Sequence, residues 1–100
     1  MSPSPYAAAK AGLEALTKMV AVQAGPSGVR ANCIAPEAIL TDTNRDRIPA
    51  EVQEAMVSNH PVRRLGLPGD VAGLAVFLAS EEASWISGTV IDLAGGAVIG

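Results

Sequence analysis

A tyrosine and a lysine four positions apart, Tyr6 and Lys10, are the residues of this sequence whose types and spacing best suit chemistry. They stand at the start of an alanine-rich segment with a helical pattern. Residues four apart on an α-helix share one face, with Cβ atoms about 5–6 Å apart. A cation beside a phenol favours the phenolate, and a helix N-terminus adds partial positive charge. The pair therefore predicts a tyrosine that acts as a general acid–base, with the lysine as its activator.

A Tyr-x-x-x-Lys spacing also occurs on helices whose side chains only cover surface. For an isolated match this simpler interpretation is favoured, because short motifs have a high rate of chance occurrence. Whether Tyr6 and Lys10 are interpreted as a catalytic pair therefore depends on the sequence that follows them.

The helix that carries the pair is predicted from Pro5 to about Ala24. Ser4 can cap it, Pro5 suits its first position, and Gly25-Pro26 ends it. Two apolar stripes run along this helix, through Ala9, Leu13, Leu16 and Val20 and through Ala8, Gly12, Ala15 and Met19. One stripe is expected to face a sheet and the other a neighbouring helix or subunit, since so apolar a helix should not face water.

The rest of the chain predicts two strands and two further helices. The strands are expected over Val29–Ala35 and Thr89–Leu93, each bounded by glycine or proline. A short helix is predicted between Pro49 and His60, with Val52, Ala55 and Met56 facing inward, and a longer one begins at Leu67–Asp70.

Two polar residues near these helices receive structural interpretations. Asp70 lies in the first turn of the last helix, where a carboxylate suits the macrodipole, and is interpreted as a capping residue. His60 precedes Pro61 at a helix end and is interpreted as a terminal or surface histidine.

Length, composition and charge restrict the class of protein. One hundred residues make one small domain, and a net charge of −3 argues against a nucleic-acid or anionic-membrane partner. Cys33 is the only cysteine, so we expect no disulfide framework and no metal cluster. Neither a run of about 20 apolar residues nor a signal-peptide pattern is seen, and a soluble, cytoplasmic protein is expected.

Four blocks of sequence follow one another in an order known from one enzyme family. They are Tyr6-x-x-x-Lys10; Gly28 to Pro36 with Ile39 and Thr41; Arg64-x-Gly66-x-Pro68-x-Asp70-Val71; and Phe77 to Ser80 with Ile86-Ser87-Gly88 and Gly95-Gly96. Together they resemble the C-terminal half of the short-chain dehydrogenase/reductase family and cover nearly all of the chain. Each block alone is weak, whereas four in order are a specific signal.

The resemblance implies an α/β fold. It is the C-terminal part of a doubly wound (Rossmann-like) parallel sheet, with two strands and about three helices in residues 1–100. The Gly-rich turn that binds a dinucleotide in such folds has no counterpart in these residues. We therefore interpret the chain as a truncated or mis-started piece of a longer oxidoreductase, without its N-terminal dinucleotide-binding half.

The function implied by the resemblance is hydride transfer between a nicotinamide cofactor, NAD or NADP, and a small-molecule carbonyl or alcohol substrate. Tyr6 would be the general acid–base, and Lys10 would activate it and bind the nicotinamide ribose. The nicotinamide and pyrophosphate would be lined by Pro36, Glu37, Ile39 and Thr41. The segment from Asp42 to His60 would form a substrate lid. A homo-oligomer would form through the 5–24 helix and the last strand.

Two positions depart from the family pattern. Glu37 stands where the family usually has Gly, and a positive φ there would cost about 1–2 kcal/mol. Ala94 stands where the family has Asp, so any hydrogen bond of that carboxylate is lost. Two alternatives to an enzyme remain open: an inactive truncated chain that acts as an oligomerisation or interaction partner, and a remnant that never folds.

Overall fold

The computed structural model describes residues 4–97 and contains three α-helices and two β-strands. In chain order the elements are α1 (Pro5–Ala24), a 3-10 turn (Gly25–Ser27), β1 (Cys33–Pro36), α2 (Ala50–Ser58), α3 (Pro68–Ala79), a second 3-10 turn (Glu81–Ala83) and β2 (Val90–Leu93). The predicted α/β class, with two strands and three helices, is confirmed, and α1 has the predicted bounds.

The chain divides into two compact units. The first comprises the residues up to Cys33 together with Phe77–Ile91, and so contains α1. The second comprises Ile34–Val76 and the residues from Asp92 onward, and contains α2 and the segments on either side of it.

The two strands pair with each other in parallel. The Cys33 N–H donates to the Thr89 carbonyl at 2.9 Å, and the Glu37 N–H donates to the Leu93 carbonyl at 3.0 Å. The pairing advances in the same direction along both strands, which is the pattern of a parallel ladder. The predicted parallel sheet is therefore confirmed.

The first strand is shorter at its start than predicted, because Val29–Asn32 lies outside β1. The Ala31 N–H donates to the Ser87 hydroxyl at 3.2 Å, and the Ala31 carbonyl accepts from the Gly88 N–H at 2.7 Å. Gly88 has a φ of 76°, a conformation that favours glycine. The turn at Ser87-Gly88 thus replaces the ladder at this point, and the regular strand begins only at Cys33.

Asn32 connects the segment before β1 with the segment before β2. Its Nδ2 donates to the Ile86 carbonyl at 2.9 Å. Its Oδ1 accepts from the Thr89 N–H at 3.2 Å and from the Thr89 hydroxyl at 2.7 Å. Because these bonds join residues more than fifty positions apart, a single amide side chain helps to fix the register in which the strands pair.

The two apolar stripes of α1 are exposed within the described residues. The side of the helix that is at least half-buried carries Lys10, Glu14, Thr17, Ala21 and Ala24. Both predicted stripes are exposed, including Leu13, Leu16 and Met19, each more than half exposed. Neither stripe is covered within residues 4–97, and the expectation that one faces a sheet and the other a neighbouring helix or subunit stays a prediction.

Helix α2 presents a different side from the one predicted. Val52 and Ala55 are exposed, and the half-buried residues are Gln53, Met56 and Val57. On this half-buried side the Gln53 amide donates to the Ile48 carbonyl at 2.9 Å.

His60 is buried, with 8% of its surface exposed, so its interpretation as a surface histidine is wrong. It does lie at a helix end, just beyond α2. Its Nδ1 contacts the Met56 carbonyl, which can only accept a hydrogen bond, so Nδ1 carries the proton. Burial is tolerated because this polar nitrogen is satisfied by the backbone.

Candidate active site

The start of α1, in the first unit, presents Tyr6 to the surface. Ser4 caps the helix, its hydroxyl accepting from the Ala7 N–H at 3.1 Å, and Pro5 follows as the first helical residue. The first turn contains no acidic residue. Tyr6 in that turn is 73% exposed, and Lys10 one turn later is half-buried. The predicted pair thus lies on one face of an unbroken helix, with its phenol accessible to a ligand.

The last residue of β1 and the loop that follows it, both in the second unit, carry the four predicted cofactor residues. Pro36 and Glu37 are exposed, whereas Ile39 and Thr41 are half-buried. The backbone is anchored at its start, where the Glu37 N–H donates to the Leu93 carbonyl.

Gly66 anchors the same loop further along. Its N–H donates to the Ala38 carbonyl at 3.0 Å, and its carbonyl accepts from the Leu40 N–H at 2.8 Å. These bonds form a parallel bridge between Ile39 and Gly66. A Cβ at Gly66 would lie 2.5 Å from the Ile39 Cδ1 atom, so a side chain at this position would require the end of the Ile39 side chain to move.

The backbone strain expected at Glu37 falls on the next residue. Ala38 has a φ of 55°, and it is the only non-glycine residue with positive φ in the described chain. An L-residue in this conformation costs about 1–2 kcal/mol. The bond from the Glu37 N–H to Leu93 and the bonds to Gly66 lie on either side of Ala38, and they hold the loop in this conformation.

A reciprocal pair of hydrogen bonds joins Thr41 to Asn44 at the end of the loop. The Asn44 Oδ1 accepts from the Thr41 N–H at 2.7 Å, and the Thr41 hydroxyl accepts from the Asn44 N–H at 3.2 Å. The Asn44 Nδ2 also donates to the Ile39 carbonyl at 3.0 Å. Sequence reasoning did not single out Asn44. The spacing Thr-x-x-Asn, which resembles a capping box, was the available signal.

Arg64 and Asp70 form an ion pair that sequence reasoning also missed. The guanidinium donates two bonds to the carboxylate, at 2.8 and 2.9 Å. Asp70 also accepts from the Leu67 N–H at 2.7 Å, which confirms its predicted capping role. The bonds from Arg64 and then Leu67 lower the pKa of Asp70 to about 2. The pair closes the turn that contains Gly66.

A cavity of about 140 Å³ lies within the second unit. Apolar residues and charged groups line it, among them Ile39, His60, Arg64, Leu93 and Ala94. Pockets for small molecules usually measure about 300–1,000 Å³, so this cavity is too small for a dinucleotide.

The predicted site residues thus fall into two groups. Tyr6 and Lys10 belong to the first unit, and the structure places them on one helix face. The loop residues Pro36, Glu37, Ile39 and Thr41 belong to the second unit, where Asn44 joins Ile39 and Thr41. Within residues 4–97, no helix is long and apolar enough to cross a membrane, and no cluster of three potential metal ligands is found.

Comparison with known proteins gives consistent results. Residues 2–98 match the sequence profile of a family described as Enoyl-(Acyl carrier protein) reductase. The chain is 43% identical over 93 residues to 7alpha-hydroxysteroid dehydrogenase of Escherichia coli K12, a match that covers 93% of this chain and 36% of that protein. It is 42% identical to human dehydrogenase/reductase SDR family member 4, covering 93% of this chain and 34% of that protein.

Solved structures show the same similarity. A 3-oxoacyl-[acyl-carrier protein] reductase from Brucella melitensis superimposes with a TM-score of 0.87 at 37% identity, covering 95% of this chain and 35% of that one. A hydroxysteroid dehydrogenase from Escherichia coli gives a TM-score of 0.86 at 42% identity, with coverage of 94% and 39%. The chain therefore spans between a third and two fifths of the length of these relatives.

The parallel strand pair with its helices, together with the similarity to these solved structures, gives an α/β segment of the Rossmann-like class. With the profile match over residues 2–98, the chain belongs to the short-chain dehydrogenase/reductase family. The resemblance first seen in the four sequence blocks is confirmed.

Because of the ion pair between Arg64 and Asp70, we expect part of the free energy of unfolding to be lost at acid pH. The pKa of Asp70 is lowered from 3.8 to about 2 in the folded chain. A carboxyl group whose pKa is lower in the folded chain than in the unfolded chain stabilises the fold fully at any pH above its unfolded-state pKa. This stabilisation is lost as the pH falls through the pKa of the folded chain. We expect Asp70→Asn to flatten the decline of the urea midpoint between about pH 4 and pH 2. The control is Asp42→Asn, which alters a 96% exposed carboxylate. Equal slopes for Asp70→Asn and the parent would contradict the prediction.

Proposed function

We propose that this segment contributes the general acid–base of an NAD(P)-dependent oxidoreductase that interconverts a carbonyl and an alcohol. The observation that carries the proposal is the accessible Tyr6 phenol on the same helix face as Lys10. In the direction of reduction, the nicotinamide, when bound, supplies a hydride to the carbonyl carbon. Tyr6 gives its proton to the carbonyl oxygen, and Lys10 stabilises the phenolate that remains. The reverse reaction returns the proton to Tyr6.

The loop after β1 fits the nicotinamide end of such a cofactor. Ile39 and Thr41 offer backbone groups and a hydroxyl on a chain segment that is anchored by Gly66 and Asn44. The 100 residues contain no Gly-rich turn for a pyrophosphate, so they fit this end of the cofactor only. The proposal covers NAD and NADP alike. The single cysteine is a buried thiol, which suits a reducing cytoplasmic compartment.

A chimeric enzyme can test the role of Tyr6. In this chimera the present chain replaces the matching 93-residue segment of the Escherichia coli 7alpha-hydroxysteroid dehydrogenase relative. We expect Tyr6→Phe to lower kcat about 10²–10⁴-fold, the range for loss of a general acid–base, with cofactor binding retained. The assay follows the absorbance of the reduced nicotinamide.

Two lysines of α1 supply a matched control for the chimera. Lys10→Met removes the proposed activator, whereas Lys18→Met makes the same change at an exposed position two turns further along. We expect a loss of turnover for Lys10→Met alone. Unchanged turnover in the Tyr6→Phe chimera would refute the assignment of the acid–base.

The 100-residue chain by itself is proposed to be inactive. Because its sequence lacks a Gly-rich turn, we expect no saturable change in NADH or NADPH fluorescence on titration with the chain. The chimera, which includes the dinucleotide-binding part of the relative, serves as the positive control. Micromolar binding by the isolated chain would contradict this proposal.

The exposed stripes of α1 support an association role, which we propose alongside the catalytic one. Leu13, Leu16 and Met19 are each more than half exposed on a helix whose inward side is largely polar. Contiguous apolar surface of this kind marks an interaction site. A homo-oligomer that also uses β2 would cover it. The same surface supports the alternative in which the chain is inactive and acts only as an interaction partner.

A charge placed on the stripe tests the association. We expect Leu16→Glu to shift the sedimentation coefficient of the chimera toward the monomer value, because a buried carboxylate is costly without a partner. Ala11→Glu is the matched control, since Ala11 is exposed and lies on the opposite side of α1 from Leu16. An oligomer that persists in Leu16→Glu would exclude this face as the interface.

A further inference from the structure

In the second unit, Asn44 makes several hydrogen bonds that the proposed function does not explain. It lies three positions after Thr41 and is half-buried, and its side chain and backbone make three hydrogen bonds to two of the predicted cofactor residues. Neither the four family-like blocks nor the acid–base pair includes it. These three bonds all lie within one unit and converge on the end of the cofactor loop.

We propose that Asn44 is a positioning residue that fixes the end of the cofactor loop and sets the hydrogen-bonding direction of Thr41. This inference rests on the proposed function, because Asn44 would affect the cofactor only through the proposed contact between Thr41 and the cofactor.

The first step of the argument concerns the Thr41 hydroxyl. Its oxygen accepts a bond from the Asn44 N–H at 3.2 Å. A hydroxyl has one proton and two lone pairs, and the proton turns away from a neighbouring N–H donor. Thr41 is therefore arranged to donate its proton to another acceptor, such as the carboxamide or a phosphate oxygen of a cofactor.

The second step concerns the backbone of the loop. The Asn44 Oδ1 accepts from the Thr41 N–H at 2.7 Å, and its Nδ2 donates to the Ile39 carbonyl at 3.0 Å. One side chain thus bridges two loop residues that lie on either side of Leu40. The bridge restricts the backbone at the point where Thr41 must meet a ligand, and such preorganisation reduces the entropic cost of binding.

The third step distinguishes the contribution of the Asn44 side-chain oxygen from that of its side-chain nitrogen. The substitution Asn44→Asp would keep an oxygen for the Thr41 N–H but would lose the donor to the Ile39 carbonyl. The substitution Asn44→Ala would lose both side-chain bonds and keep only the backbone N–H that reaches the Thr41 hydroxyl. Asn44→Asp therefore removes one of the two side-chain contacts, and Asn44→Ala removes both.

Amide hydrogen exchange on the intact chain tests the geometry without any cofactor. We expect slow exchange of the Thr41 N–H in the parent and in Asn44→Asp, and fast exchange in Asn44→Ala. Asn59→Ala is the matched control, since Asn59 is an exposed asparagine at the end of α2. Fast exchange in the parent, or slow exchange in Asn44→Ala, would overturn the proposed contact.

Kinetics of the chimera test the consequence for the cofactor. We expect Asn44→Ala to raise the cofactor KM roughly tenfold, the scale of one or two lost hydrogen bonds, with little change in kcat. Asn44→Asp should retain part of the parent affinity. In a Thr41→Val background the effect of Asn44→Ala should shrink, because residues that act through one another are not additive.

The outcomes separate this inference from the proposed function. If Thr41→Val leaves the cofactor KM unchanged, the assigned role of Thr41 fails, and the role of Asn44 in cofactor binding fails with it. If Thr41→Val raises KM but Asn44→Ala does not, only the inference about Asn44 is overturned. A fall in kcat with constant KM in Asn44→Ala would also overturn it.

Discussion

The parallel pairing of β1 with β2 is the constraint on which the other features of this chain depend. Parallel neighbours cannot be joined by a tight turn, so a long connection must leave the end of one strand and return to the start of the other. In this chain that connection holds the loop after β1, α2 and α3. The register is reinforced by Asn32, which directly precedes β1 and whose amide satisfies backbone groups of Ile86 and Thr89 before β2. The loop after β1, α2 and α3 are therefore parts of one connection that the sheet geometry requires.

The loop after β1 shows how a strained backbone is held in place. Ala38 occupies the left-handed region at a cost that a glycine would avoid. The loop is fixed on both sides of Ala38, by Leu93 before it and by Gly66 beside it, and the ion pair of Arg64 with Asp70 closes the turn that presents Gly66. Strain of this kind persists where the surrounding structure over-determines it, as is common at ligand-binding sites.

The sequence predicted those features that depend on local chemistry. The cap at Ser4, the proline and glycine at the ends of α1 and the capping carboxylate of Asp70 all follow from interactions within a few residues. Features that depend on distant partners were missed or misplaced. The start of β1 is set by Ser87 and Gly88, more than fifty positions away. Likewise the burial of His60 reflects packing that no local pattern reveals.

The packing of α1 is the most informative of these differences. Periodicity identified the apolar stripes correctly, yet the side of the helix that packs within this chain is the polar one, which carries Lys10, Glu14 and Thr17. A hydrophobic pattern predicts that a surface will be covered but does not identify what covers it. In α1 the apolar side chains of both stripes are left exposed by residues 4–97. The same helix therefore has two separate features: its first turn presents an exposed phenol, and its apolar stripes stay uncovered within the described residues.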